Sequence, residues 1–295
     1  MTEATILPPP GRILRRAVRP TEEPRWLRWT LTGTVLAILG VLVLAPLAAV
    51  LIEALKDGWQ FAATSLGDSD AQAAIRLTLI VAAVAVPLNA VFGIAAAWLL
   101  TKFRWRGKAW LITLIDLPFS VSPVVAGLCI VLLFGANSAM GGWLVANGYP
   151  VVFALPGIIL ATMFITFPFV ARELVPLMTE QGTSEEEAAL TLGASGWRMF
   201  WTVTLPNIRW ALLYGVLLSN ARAMGEFGAV AVVSGKIRGV TATMPIMIEM
   251  LYNEYLSVAA FTMAALLTLL ALVTLLLKTL LEWRFADHLA ASGRH

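Results

Sequence analysis

Six long apolar runs alternate with short polar segments along the chain, at residues 30–52, 75–100, 110–135, 152–177, 208–233 and 258–281. An α-helix needs roughly 20 apolar residues to cross the hydrocarbon core of a bilayer. Each run reaches that length. The pattern therefore predicts an all-α integral membrane protein with six transmembrane helices.

The six runs differ in how uniformly apolar they are. The first contains no charged residue, whereas the third, fourth and fifth contain charged residues and glycines, and the third and fourth also contain several prolines. Such residues are tolerated in a helix that is buried among protein neighbours or lines a cavity, not in one that faces lipid. We therefore expect residues 29–52 to form a peripheral helix and residues 70–285 to form the working core.

The composition agrees with a membrane protein, and the chain lacks the residue clusters that an intramembrane enzyme would need. Of the 295 residues, 59% are hydrophobic and 13% are charged, whereas soluble domains carry about 25% charged residues. The single cysteine, Cys129, excludes an intrachain disulfide. The sequence has no His/Cys/Asp/Glu cluster with metal-ligand spacing and no G-x-x-x-x-G-K-[ST] phosphate loop. We expect no catalytic residue, metal, cofactor or nucleic-acid partner for this chain.

The positions of the 21 lysines and arginines predict the orientation of the chain. Cytoplasmic loops of membrane proteins are enriched in these residues. If the N-terminus is cytoplasmic, few basic residues fall outside: Lys56, Arg76, Lys236 and Arg238. We therefore expect cytoplasmic tails at residues 1–28 and 286–295. We also expect the basic N-terminal tail to contact anionic membrane lipid.

One segment between the fourth and fifth runs, TSEEEAALTLGASGWRMFWTVTLP, is polar at its start and aromatic towards its end. Thr183 or Ser184 can cap a helix, and Glu186 or Glu187 can complete a capping box. Gly193 stands where a left-handed residue ends a helix. The segment, residues 183–206, therefore predicts a first short helix followed by a turn.

A second short helix is predicted in the same segment. Ser195 can cap it, and Pro206 is expected to end it. Its apolar residues share one face at helical spacing: Trp197, Phe200, Trp201 and Leu205. Two interpretations remain open for this helix pair. It is either an interfacial linker with its aromatic rings in the headgroup layer, or a surface that docks another protein.

One pattern in this segment resembles the EAA loop of ABC-importer permeases. It consists of Glu187-Ala188-Ala189, then Gly193, then Val203-Thr204-Leu205-Pro206. That family more often has isoleucine where Val203 stands. The resemblance implies a cytoplasmic coupling helix seated on a separate ATPase subunit, which binds ATP and Mg. The coupling residues that it implies are Glu187, Ala188, Ala189, Gly193, Leu205 and Pro206.

Arg222 and Glu226 lie within the fifth run, four residues apart. Side chains at this spacing can pair on one helix face. Ionisable groups at membrane depth are rare and face the interior of a bundle. Two interpretations remain open. The pair is either a structural ion pair, or Arg222 supplies positive potential along an anion pathway while Glu226 holds it in place.

The segment LPFSVSPVVAG, residues 117–127, places Ser120 and Ser122 beside two prolines. It predicts a kinked helix. The hydroxyls either line a translocation pathway or bond to their own backbone. Asp116, just before it, is expected near the cytoplasmic end or paired with a basic group.

A loop outside the membrane carries four charged residues, Lys236, Arg238, Glu249 and Glu254. This loop forms either a solvated face or a contact with a binding protein.

The stretch NARAMGEFGAVAVVSGKIRG, followed by MLYNEY, resembles the CysW-type permeases of bacterial sulfate/thiosulfate ABC importers. The resemblance covers roughly residues 70–285. It implies the type I, MetI-like importer fold in the bacterial inner membrane. It also implies three partners, namely a CysT-type permease, a dimer of CysA-type ATPases and a periplasmic sulfate/thiosulfate-binding protein.

Two alternatives remain open at this point. Molybdate and tungstate permeases have a similar R-x-x-G-E-[FY]-G-[AS] pattern, so the cargo could be one of those oxyanions. A secondary transporter is the alternative from another class. It would favour duplicated halves with discontinuous helices, and the sequence contains no convincing internal repeat.

Overall fold

The computed structural model describes the backbone of residues 24–292 and the side chains of residue 24 and residues 26–280. Every regular element in this part of the chain is helical. Most of the predicted N-terminal tail, residues 1–28, lies outside the described residues. So do residues 293–295 of the predicted C-terminal tail, whereas residues 286–292 continue the last helix.

The helices follow one another along the chain with short connections. They are α1 (Arg25–Leu39), α2 (Ala45–Ala54), α3 (Trp59–Gly67), α4 (Ser69–Lys102), α5 (Lys108–Ser120), α6 (Pro123–Phe134), α7 (Ala139–Ala146), α8 (Leu155–Gln181), α9 (Ser184–Thr191), α10 (Gly196–Met199), α11 (Leu205–Met224), α12 (Gly228–Ser234), α13 (Met244–Asn253) and α14 (Ser257–Ser292). Two π-helical turns, Gly40–Leu44 and Phe200–Thr204, join α1 to α2 and α10 to α11.

The chain divides into two compact units, residues 1–49 and 50–295. The described part of the first unit is α1, the π-helical turn and the beginning of α2, which continues to Ala54. Together these form one uninterrupted apolar helix, Trp26–Ala54. Its large apolar side chains, among them Leu36, Val41 and Leu42, are exposed. A helix that is apolar on its exposed faces is typical of one surrounded by lipid.

The core of the second unit is built on α4, α8 and α11, which pack against one another. Small residues permit the close approach, as is common between membrane helices. A Cβ atom on Gly93 of α4 would come within 2.6 Å of the Val170 Cβ on α8. A Cβ atom on Gly215 of α11 would come within 3.1 Å of the Val170 Cα. Val170 therefore lies where the three helices meet.

Four helices of the described residues are long and apolar enough to cross a membrane: Trp26–Ala54, Ser69–Lys102, Leu155–Gln181 and Ser257–Leu280. Two further pairs pass the same test together but are bent, so the count rises to six if each pair is one span. The all-α architecture with six predicted spans agrees with this count.

The third and fifth apolar runs are not straight helices. Helices α5 and α6 meet at 109°, and the continuous helix Gly196–Met224 meets α12 at 52°. The first break follows from Pro123, since a residue before proline is forced out of the helical region. Ser122 accordingly has φ −58° and ψ 135°. The kink predicted at residues 117–127 is thus a break between two separate helices, whose axes meet at 109°.

The two breaks pack against each other. A Cβ atom on Gly228, the first residue of α12, would lie 2.8 Å from the Pro123 Cβ at the start of α6. A Cβ atom on Gly127 would lie 2.7 Å from the Ala229 carbonyl oxygen. Ala126 and Ala229 are both buried in the same apolar cluster. The third and fifth apolar runs are therefore held together at the points where each changes direction.

Candidate functional site

The segment 183–206 forms a helix pair at one end of the bundle. Helix α9 ends at a turn in which Gly193 has φ 88°, a left-handed conformation that favours glycine. The Ser195 side chain then accepts a hydrogen bond from the Arg198 amide at 3.3 Å and caps α10. The predicted turn at Gly193 and the predicted cap at Ser195 are both confirmed.

The capping box predicted at the start of α9 is wrong. Thr183 is the N-cap residue, but its side chain accepts no bond from the backbone. Its hydroxyl instead donates to the Glu187 Oε1 atom at 2.7 Å. Glu187 is thereby held against the beginning of its own helix.

The prediction that Pro206 ends the second short helix is also wrong. Pro206 lies in the first turn of α11, and the helix runs on from Gly196 to Met224. Proline lacks the amide that an α-helix needs for its hydrogen bond to the preceding turn. The π-helical turn Phe200–Thr204 directly precedes it, and such a turn locally alters that bonding ladder. The loop therefore feeds directly into the fifth span.

The outer face of the helix pair combines acidic, small and apolar groups. Glu187, Ala188, Gly193 and Pro206 are exposed, whereas Ala189 and Leu205 are half-buried. Leu192, next to the turn, is 89% exposed. Trp197 is also exposed and stacks on Phe200. The residues matching the EAA pattern thus lie on or beside an accessible surface.

Glu186 is the feature of this segment that the sequence did not reveal. Its side chain is only 11% exposed, and its Oε1 atom lies 2.7 Å from the Lys102 Nζ atom. The Lys102 side chain is 7% exposed and also donates to the Gly182 carbonyl. The Thr204 hydroxyl donates to the same Glu186 oxygen at 3.4 Å. Three adjacent acids in the sequence did not indicate which of them is buried.

Arg222 and Glu226 form an ion pair at the break between α11 and α12. The Arg222 Nη2 and Glu226 Oε2 atoms lie 2.9 Å apart. The Ala229 amide donates to the Glu226 Oε1 atom at 3.1 Å. The Glu226 side chain is 1% exposed and that of Arg222 is 38% exposed. The carboxylate is therefore fixed in the protein interior, while the guanidinium remains partly accessible.

Ser120 and Ser122 flank the break between α5 and α6. Ser120 is the last residue of α5, Ser122 precedes α6, and both are exposed. Neither hydroxyl makes a hydrogen bond within the described residues. The contact of Pro123 with Gly228 brings this segment against the beginning of α12. The structure thus joins two segments that the sequence suggested separately as parts of a pathway.

The other charged residues singled out in the sequence are paired. The Arg172 Nε atom lies 3.5 Å from the Asp116 Oδ1 atom, so Asp116 has the basic partner that was one of its two expectations. The Lys236 Nζ atom lies 2.6 Å from a Glu249 oxygen, and Arg238 pairs with Glu254. All these side chains remain partly exposed.

The bent spans and the exposed helix pair define a multi-pass membrane protein with a surface loop. Comparisons with known proteins agree. Residues 89–287 match the family described as binding-protein-dependent transport system inner membrane component. The chain is 52% identical over 262 residues to the sulfate transport system permease protein CysW of Escherichia coli strain K12, covering 89% of this chain and 90% of that protein.

Two further comparisons place this similarity in context. The sulfate transport system permease protein CysT of the same strain is 37% identical over 253 residues, covering 86% of this chain and 91% of that protein. A chain of a bacterial alginate ABC transporter, crystallised with its alginate-bound periplasmic protein, superposes with a TM-score of 0.72. The two sequences are 17% identical, and the superposition covers 88% of this chain and 95% of that chain. A similarity at this low identity establishes a shared fold but no shared function.

The chain therefore belongs to the binding-protein-dependent transport system inner membrane components, and within them to the CysW sulfate permease family.

Proposed function

We propose that this protein is the permease subunit of an ATP-driven importer that moves sulfate and thiosulfate across the bacterial inner membrane into the cytoplasm. The observation that carries this proposal is the 52% identity to a sulfate permease over 89% of the chain. At that identity, the residues that line a pathway and contact partners are expected to be largely shared. The chain supplies the pathway and is not itself the catalytic subunit.

The helix pair of residues 183–206 is the surface that couples transport to ATP hydrolysis. We assign it to the cytoplasmic side, together with both termini, because basic residues concentrate in the segments on that side. Its partner is a dimer of CysA-type ATPases, which binds ATP and Mg. The contact residues are Glu187, Ala188, Ala189, Gly193, Leu205 and Pro206. The exposed Leu192 and Trp197 support a protein-facing surface, since apolar groups of this size favour a covered environment.

The translocation pathway passes the two breaks in the third and fifth spans. Arg222 supplies positive charge there. The buried Glu226 carboxylate orients the guanidinium through the 2.9 Å ion pair. Ser120 and Ser122 offer unpaired hydroxyls, which can donate hydrogen bonds to the oxygens of a tetrahedral anion. The site formed by these four residues binds the anion only weakly, since a transported ion must be able to leave as well as enter.

Two more proteins complete the proposed complex. A CysT-type permease pairs with this chain across the membrane, and a periplasmic binding protein delivers the anion. The partly exposed ion pairs Lys236–Glu249 and Arg238–Glu254 lie on the side that we assign to the periplasm. Their charges lie on the loop that faces the binding protein.

Reconstitution of the chain with these three partners in proteoliposomes tests the proposal. Labelled sulfate and thiosulfate are supplied outside with the binding protein, and ATP is supplied inside. Uptake and ATP hydrolysis should both depend on the binding protein and on one of these anions. A catalytically inactive ATPase variant is the matched control and should abolish uptake.

Two outcomes would contradict the proposed function. Uptake of molybdate or tungstate in preference to sulfate would assign the cargo to the alternative oxyanions. Uptake that persists with the inactive ATPase and follows an ion gradient would identify a secondary transporter instead.

A further inference from the structure

A buried ionic contact joins the helix pair of residues 183–206 to three of the long helices. Glu186 lies on the inner side of α9, and its carboxylate faces Lys102, the last residue of α4. Lys102 also donates to the carbonyl of Gly182, which follows α8. Thr204, which precedes α11, is 1% exposed and donates to the same carboxylate. One carboxylate thus contacts groups at the ends of α4 and α11, and its lysine partner reaches the end of α8.

Both side chains of this contact are buried, whereas every other ion pair among the described residues has at least one clearly exposed partner. Lys56 and Glu53, for example, are 64% and 38% exposed and lie 3.3 Å apart. Exposed pairs of this kind contribute little, because solvent screens the charges and the side chains move freely. A buried pair gains little net stability over apolar residues, yet removal of one partner strands a charge and is strongly destabilising. Such a pair favours one arrangement of the elements that it connects.

We propose that Lys102, Glu186 and Thr204 are positioning residues that transmit movement of the coupling helix α9 to α4 and α11 during the transport cycle. The inference rests on the proposed function of segment 183–206 as the ATPase-coupling surface. Glu187 and Ala188 face outwards and receive the partner, whereas Glu186 faces inwards and fixes α9 to the bundle. The connection is direct, since no other side chain separates Glu186 from Lys102 or from Thr204.

The mechanical consequence concerns α4 in particular. Helix α4 packs along α8 and α11 in the core, and its sequence position is far from the coupling helix. Without the Lys102–Glu186 pair, α9 would keep its contacts on the α11 side, such as the Asn207 amide bonded to Glu185, but would lose this ionic contact with α4. ATPase movements would then reach α11 without being passed equally to α4. Loss of the pair should therefore uncouple ATP hydrolysis from transport rather than remove either activity.

Three variants in the reconstituted complex test this role. Lys102→Gln and Glu186→Gln each remove one charge, and Thr204→Val removes only a hydroxyl from a side chain of similar shape. Uptake per ATP hydrolysed should fall about tenfold for the two charge variants and about threefold for Thr204→Val. Lys102→Arg keeps the charge and should lose clearly less than Lys102→Gln. Lys56→Gln, at an exposed pair, is the matched control and should leave the ratio unchanged.

A second readout does not depend on which anion is transported. A fluorescent label on Phe103→Cys, in a Cys129→Ser background, reports movement at the end of α4. The label should respond when ATP binds to the complex with Lys102 intact, and the response should be lost with Lys102→Gln. A response that survives in Lys102→Gln, or no response with Lys102 intact, would overturn the inference. Absence of sulfate or thiosulfate uptake by the unmodified complex would instead refute the proposed function.

Folding failure of a charge variant still leaves a decisive comparison. Co-purification of the complex reports assembly for each variant. If Glu186→Gln does not assemble, Thr204→Val decides the matter, because it preserves shape and introduces no unpaired charge. An unchanged ratio of uptake to ATP hydrolysis in assembled Thr204→Val would then contradict the proposal. A lower ratio would support it.

Discussion

Gly228 lies directly against Pro123, so close that a Cβ atom on the glycine would come 2.8 Å from the proline Cβ. The two residues begin the second halves of the two bent spans. Pro123 forces the break in one span, and Gly228 allows the other span to approach it. Together with Gly127 against Ala229, this contact sets the relative position of the two segments suggested as parts of the pathway.

Substitution of Gly228 by valine should separate α12 from α6. Overpacking of a tight contact costs typically 1–3 kcal/mol, and the neighbouring atoms here belong to a rigid proline ring. We expect sulfate uptake to be lost while the protein still reaches the membrane. Gly67→Ala is the matched control, because a Cβ atom at Gly67 meets nothing within 4 Å. Normal uptake by Gly228→Val would show that this contact can relax freely.

Substitution of Gly193 by valine should abolish uptake while membrane insertion persists. A Cβ atom there meets nothing within 4 Å, but the residue has φ 88°. A β-branched residue in the left-handed region costs about 1–3 kcal/mol, so the turn between α9 and α10 should change shape. Gly196→Val is the matched control in the same loop, since Gly196 has open space and no positive φ. Uptake that is equal in both variants would contradict a special role for this turn.

Replacement of Arg222 by alanine should impair anion flux more than complex assembly. The variant removes the accessible positive charge but leaves the Glu226 Oε1 atom bonded to the Ala229 amide. We expect uptake to fall about tenfold or more, because an anion pathway loses its main attraction at membrane depth. The double variant Arg222→Ala/Glu226→Gln controls for the stranded carboxylate. Loss of co-purification with the partners in both variants would instead favour a purely structural ion pair.

Replacement of Ser120 and Ser122 by alanine should lower uptake without lowering thermal stability. Both side chains are exposed and make no hydrogen bond in the described residues, so the fold has no bond to lose. A hydroxyl that contacts the anion contributes about 1 kcal/mol, which corresponds to a several-fold change in uptake. Thr113→Ala is a suitable control, because its hydroxyl bonds the Ala109 carbonyl of its own helix. Unchanged uptake in the serine variants would favour packing as their only role.

Local sequence signals were sufficient for several features of the site. Gly193 was expected in a left-handed turn and has φ 88°. Arg222 and Glu226 were expected to pair at their four-residue spacing, and they do. Each of these features depends on residues within one or two helical turns, so the printed sequence carries the necessary information. The family resemblance, not the spacing, supplied the ATPase partner and the cargo.

Three other local expectations failed. Thr183 bonds Glu187 rather than the backbone, and Glu186 is drawn to Lys102 instead of capping its own helix. Pro206 continues a helix because a π-helical turn precedes it. The first and third outcomes follow from alternative bonding between near neighbours, whereas the burial of Glu186 depends on a residue far away in the chain.

Local sequence patterns account for the six apolar runs, the kink in the third and the charged pair in the fifth. These follow from hydrophobicity and from backbone restrictions that act over a few residues. Helix packing selects Glu186 as the buried one of three adjacent acids and places Pro123 against Gly228. Contacts between residues far apart in the chain depend on how the helices pack, and no short-range preference specifies that arrangement.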